Sequence, residues 1–113
     1  MKFQECNLNI RYDPPKEILA KRERVYSKMP GWLGFGKKDM GYEGIPYWFS
    51  YNKDEKYIIA SVESSGLHFE GNIDDYEWLL WKTNFKKIST EILRFKVGEI
   101  EEGEVRHEIE WIY

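Results

Sequence analysis

Gly31-Trp32-Leu33-Gly34-Phe35-Gly36-Lys37-Lys38 meets the spacing G-x-x-x-x-G-K of a phosphate-binding loop, but Lys38 stands where magnesium needs a Ser or Thr hydroxyl. The segment also follows a helical pattern, whereas a true phosphate loop follows a strand, and Trp32 and Phe35 would crowd the backbone amides that must cradle phosphates. It is read as an accidental match within an aromatic loop. His68 and His107 are the only imidazoles and Cys6 is the only thiol, so a structural zinc site has no recognisable ligand spacing. His107 falls on the apolar face of a strand pattern, as a hydrogen-bonded core histidine does, while His68 alternates with Leu67 and Phe69 and faces outward. Glu63, Glu70, Asp74, Asp75 and Glu77 could pair for acid-base work, but capping and solvation account for them. Ser64 and Ser65 sit in a turn, where hydroxyls bond the local backbone. These residues indicate no nucleophile, no cofactor and no metal site, and residue chemistry alone does not name an activity.

The elements that would carry these residues follow from periodicity. Ile45, Tyr47, Phe49 and Tyr51 alternate with Pro46, Trp48 and Ser50, and Tyr57, Ile59 and Ser61 alternate with Ile58, Ala60 and Val62. With the strand that follows, this run to Gly71 predicts a three-stranded meander. Residues 3–12 predict an earlier strand with Gln4, Cys6, Leu8, Ile10 and Tyr12 on one face. Asp13 as N-cap and Pro14 at the first helical position predict a helix to about Met29, with Ile18, Arg22, Val25 and Met29 on its apolar stripe. Residues 30–44 are glycine-rich without a sustained period and predict a long loop. Asp74 as N-cap, with Glu77 and Ile73 completing a capping box and a hydrophobic staple, predicts a second helix. Its stripe is Trp78, Trp81, Phe85, Ile88 and Ile92; Leu79 and Leu80 fall outside it, to be covered by the loop, buried at the helix end or presented to a partner. An acidic connector leads to a last strand in which Val105, His107, Ile109, Trp111 and Tyr113 share a face. The expected fold is α+β, a mainly antiparallel sheet with a three-stranded meander and two helices packed on it.

At 113 residues the chain is one expected domain, 1–113, able to bury roughly two thirds of its unfolded surface. Five tryptophans within a 17% aromatic content exceed what an ordinary core of this size needs, so the rings form a dense core or remain in part exposed for binding. A lone cysteine excludes an internal disulfide, and the absence of a leader or a long apolar run points to the cytoplasm rather than to a membrane. A net charge of −3 does not suit direct nucleic-acid binding, but its distribution is polar. Lys16, Lys21, Arg22, Arg24, Lys28, Lys37 and Lys38 outnumber the acids near them, whereas Glu99, Glu101, Glu102, Glu104, Glu108 and Glu110 oppose only Arg106. That acidic end is a solvated connector or a surface that steers a basic partner.

The passage GIPYWFSYNKDEKYIIASVESSGLHFEGNIDDYEWLLWKTNFKKISTEILRFKVGEIEEGE resembles small immunity proteins encoded beside bacterial polymorphic or contact-dependent toxins. The resemblance rests on the aromatic strand, the ASVESSGLHF hairpin, the acid-capped Trp- and Phe-rich helix and the VGEIEEGE connector. It implies an inhibitor rather than an enzyme, one that covers a cognate toxin, a nuclease being one such partner, in a tight one-to-one complex. Glu99, Glu101, Glu102 and Glu104 would then steer association, with Trp32 and Phe35 as aromatic anchors. The alternative is a ligand-binding module in which Tyr47, Trp48, Tyr51 and Tyr57 form an exposed stacking platform for sugars or bases.

Overall fold

Each end of the central sheet is set by a different kind of sequence signal. The computed structural model describes residues 1–11, 13–37, 44–106 and 109–112. Along these the chain forms strand β1 (Lys2–Leu8), helix α1 (Lys16–Lys28), strands β2 (Trp32–Phe35), β3 (Pro46–Trp48), β4 (Tyr57–Glu63) and β5 (Gly66–Ile73), and helix α2 (Asp75–Leu93). The five strands lie in the order β1-β5-β4-β3-β2, every neighbouring pair antiparallel. The fold is α+β as expected. The predicted meander is β3-β4-β5; β2 extends it at one edge, and β1 pairs with β5 at the other.

Alternation decides the layers. Cys6, Phe69 and Ala60 are register partners across β1, β5 and β4, and all three are buried beneath the helices. Val25 and Tyr26 of α1 and Trp78, Trp81 and Phe85 of α2 close over that face, with Ile88 and Ile92 half-buried beside them. Trp48 is at the centre: its ring lies 5.4 Å from Tyr26, 5.4 Å from Trp32, 5.9 Å from Phe69 and 5.1 Å from Trp81. Its Nε1 donates to the Tyr26 carbonyl at 3.1 Å, so the one polar atom of the ring is satisfied in the core. On the opposite face Tyr47, Tyr57 and Ile59 form a smaller buried cluster with Ile45 packed against it.

Several boundaries differ from the expected ones, each for a local reason. The glycine-rich segment read as loop contains β2, with Trp32 opposite Trp48 and Phe35 opposite Pro46; a strand needs a partner's backbone, and β3 supplies it. The first strand of the meander stops at Trp48 instead of reaching Tyr51, because Phe49 takes a φ of 72°, a left-handed conformation that a bulky residue rarely adopts. Phe49 is fixed there by its amide, which donates to the Gly31 carbonyl at 2.8 Å, and by its ring, which lies where a Cβ on Gly31 would meet it at 2.5 Å. Helix α1 starts two residues beyond the expected Pro14. Pro15 disfavours helical torsions at the residue before it and itself serves as the cap, with ψ at 154°, while Asp13 turns instead to Arg11 at 2.9 Å. Asp74 does cap α2, but the capping box is not made: its carboxylate pairs with the Met1 amino group at 3.3 Å, and Glu77 pairs with Lys56 at 3.0 Å.

The last predicted strand is the largest correction. Among the described residues, the C-terminal segment joins the rest through a single bridge, Phe95 to Trp111, flanked by Lys96 N to Glu110 O at 2.8 Å and Ile112 N to Arg94 O at 3.1 Å. Trp111, placed on the buried face by alternation, is exposed, and His107 and Tyr113 lie outside the described residues. The segment docks on the chain just after α2, so the sheet's own edges do not dictate its period. The predicted turn between β4 and β5 holds, and Gly66 closes it: at φ 129° its bare Cα lets the Leu8 carbonyl approach to where a Cβ would stand 2.1 Å away.

Candidate functional site

The six partner-binding residues expected from sequence do not converge. Trp32 and Phe35 lie on β2, one edge of the sheet. Glu99 sits at the other, bridged to the outer side of Leu8, with β3, β4, β5 and β1 between them. Trp32 is half-buried against Tyr26, Trp48 and Phe35, so it belongs chiefly to the core, whereas Phe35 and its neighbour Leu33 are exposed.

The four glutamates divide in two. Glu99 is buried and receives both Lys86 Nζ and, at 3.3 Å, Lys82 Nζ; Glu104 reaches Lys86 at 2.9 Å and accepts the Glu99 amide at 2.8 Å. Two lysines of α2 therefore neutralise two acids of the connector, and this pair holds the connector to the helix. Glu101 and Glu102 stay exposed, Glu101 accepting from Asn7 Nδ2 at 3.2 Å, so the connector charge that no lysine neutralises among the described residues rests on those two. The connector glutamates look alike in sequence; only the α2 lysines reaching across separate them.

The network makes a pH prediction. Burial would raise the Glu104 carboxyl, but the Glu99 amide and then Lys86 outweigh it and hold the group below its ordinary 4.5. Burial would lower Lys86, but the hydrogen bonds it donates to Glu99 and Glu104 leave it above 10.5. Glu104 thus stabilises the fold fully above pH 4.5 and ceases to as the pH falls through its depressed value. Lys86 stabilises fully below 10.5 and ceases to as the pH rises through its raised value. Glu104→Gln should melt below wild type at neutral pH, and the gap should close as the pH drops below 4.5. A gap that persists in acid would assign the loss to packing.

His68 sits on the open face with Nδ1 3.0 Å from Asn7 Oδ1 and Nε2 3.8 Å from Glu5. Ser61 is its register partner, yet the Ser61 hydroxyl donates to Glu63 at 3.0 Å, so no nucleophile and base are joined there. Cys6 is buried, and burial above all pushes its thiol up to about 12, which makes it an inert core residue. Among the described residues no group of His, Cys, Asp and Glu could hold a metal ion. Tyr47, Trp48 and Tyr57 are buried, which leaves Tyr51 alone of the four rings proposed as a stacking platform and removes the ring faces that reading needs.

The surface that sequence reasoning left open is on α2. Tyr76, Leu79 and Leu80 are 72%, 54% and 54% exposed, spaced i, i+3 and i+4 so that they share one facet of the helix. Neither the loop nor the helix end covers them. Beside Leu80 a shallow, largely apolar groove of about 440 Å³ runs between α2 and the residues Pro30, Phe49 and Ile73, with Glu77 and Asn84 at its rim. The strained Phe49 thus forms one wall. Two leucines and a tyrosine thus form an exposed apolar facet that opens onto this groove.

The fold defines this chain as an α+β domain with two helices on one face of a five-stranded antiparallel sheet. Comparison with family models, with curated proteins and with solved structures finds no match. No helix among the described residues is long and apolar enough to cross a membrane.

Proposed function

We propose that the chain is an immunity protein that binds a cognate bacterial toxin in the cytoplasm and neutralises it by steric and electrostatic blockade. The observation that carries the reading is the Tyr76, Leu79 and Leu80 facet with its adjoining groove, an apolar contact surface on a rigid helix whose other face is anchored by Trp78, Trp81 and Phe85. Large side chains in a water-excluding setting dominate binding energy, and exposed acids at the rim act on the association rate. The anchors assigned from sequence accordingly shift from Trp32 and Phe35 to α2, and the steering acids narrow to Glu101 and Glu102.

Co-expression with a toxin gene found beside this one tests the proposal: growth rescue and co-purification are expected. Leu79→Asp with Leu80→Asp should weaken the complex by about 30-fold or more, as loss of a 2 kcal/mol hot spot does. Its thermal midpoint should hold, since exposed substitutions usually change stability by no more than about 0.5 kcal/mol. Glu101→Lys with Glu102→Lys should slow association at low salt and leave dissociation unchanged. Rescue that survives the leucine pair would move the interface elsewhere, and a neighbouring toxin that kills regardless of this protein would end the immunity reading.

A further inference from the structure

The stripe that α1 turns inward carries one charged residue. Ile18, Arg22, Val25 and Met29 follow helical spacing, and Arg22 is only 9% exposed. Its Nε and Nη1 are buried and have no hydrogen-bond partner among the described residues, and it makes no ion pair there. A guanidinium that keeps contact with the Tyr26 hydroxyl but has two of its three nitrogens buried without a partner is under-satisfied, and such groups are ordinarily found against a carboxylate or another oxyanion.

Arg22 lines a cleft of about 280 Å³ between α1 and the β2, β3 and β4 end of the sheet. That is roughly nine waters' worth of liquid volume. Apart from Arg22, with Glu23 and Ser61, its walls are apolar, among them Tyr26, Ile45, Pro46, Val62 and Leu67. Burial pushes the Tyr26 phenol up to about 12 while Arg22 pulls it the other way, so the hydroxyl stays protonated at neutral pH. We propose that this cleft is a binding site for a small monocarboxylate with an apolar body, its carboxylate on the Arg22 guanidinium and its body against Tyr26, Pro46 and Leu67. One cation in an apolar cleft matches one negative charge, and the exposed Glu23 carboxylate disfavours a dianion such as a phosphate monoester. The site is separate from the α2 facet and stands whether or not a toxin is bound.

The test is a titration of the full, ¹⁵N-labelled chain with phenylacetate and with hexanoate, following the Arg22 Nε–H resonance. At least one carboxylate should shift that resonance saturably. Uncharged 2-phenylethanol, which keeps the body, and inorganic phosphate, which keeps the charge, should each bind at least tenfold more weakly. Arg22→Met should retain or raise the thermal midpoint, because a desolvated charge is removed, and should lose the carboxylate response. No saturable shift with either acid overturns the proposal. Equal affinity for 2-phenylethanol or phosphate also overturns it, as does unchanged binding by Arg22→Met. Should that variant fail to fold, the ligand series on the unaltered chain decides alone.

Discussion

Trp48→Ala is expected to lower the unfolding free energy by about 3–5 kcal/mol, the range for truncating a fully buried large ring. The loss has two parts. Removing the indole opens a void bounded by Tyr26, Trp32, Phe69 and Trp81, four rings that belong to both helices, β5 and the β2 edge and cannot all collapse toward one point. It also removes the Nε1 donor to the Tyr26 carbonyl, although that carbonyl retains the Met29 amide at 3.2 Å. Domains of this kind have about 5–15 kcal/mol in total, so the variant should be partly unfolded at physiological temperature if the parent lies at the lower end. Trp48→Phe separates the parts: it keeps much of the ring contact and gives up the hydrogen bond, and it should cost less than half as much. Urea unfolding followed by far-UV circular dichroism reads both, with an unchanged slope as the check that the unfolded ensemble is the same. A cost under about 1 kcal/mol for Trp48→Ala would contradict the placement of this ring at the centre of the core.

Trp48 also shows what the sequence could reveal. Its alternation with Tyr47 and Phe49 made a strand legible, and Trp78, Trp81 and Phe85 at helical spacing made the covering face of α2 legible, because both signals are local. Which sheet face a ring takes was not local. Tyr47 and Tyr57 looked available for stacking, yet they are buried on the face away from the helices. Strand β2 is not legible in the sequence because Gly31, Gly34 and Gly36 erase the alternation, and its identity as a strand comes from Trp48 and Pro46 across the gap. The site divides in the same way. Arg22 was visible as a charge inside an apolar stripe, and Leu79 with Leu80 as residues outside one. The contrast between Glu99 and Glu102 depends on α2 lysines contributed from elsewhere in the chain, a contact that no spacing rule encodes.

Asn9→Ala is expected to cost about 2–3 kcal/mol, far more than the loss of a small polar side chain suggests. Asn9 is buried just past β1 and clips the chain after α2 into place: Nδ2 donates to the Lys96 carbonyl at 2.8 Å, Oδ1 accepts the Gly98 amide at 3.0 Å, and its own amide donates to the Gly98 carbonyl at 3.2 Å. Truncation leaves the buried Gly98 amide unpartnered, worth about 1–3 kcal/mol by itself, while the Lys96 carbonyl, on a more exposed residue, can recover water. The damage should spread, because Glu99 follows directly and its position against Lys82 and Lys86 depends on the bridge to Leu8. Asn9→Ala and Glu99→Gln should therefore be non-additive in a double-mutant cycle. Asn9→Asp should not rescue: it keeps an acceptor for Gly98 but sets a carboxylate against the Lys96 carbonyl in a buried site. Hydrogen exchange gives the residue-level reading, with the Gly98 amide opening locally in the variant before the sheet does. If that amide stays as protected as in the parent and stability falls by less than about 0.5 kcal/mol, the segment is held by the Lys96 to Glu110 contact instead, and the acidic edge that carries Glu101 and Glu102 is anchored from its C-terminal side.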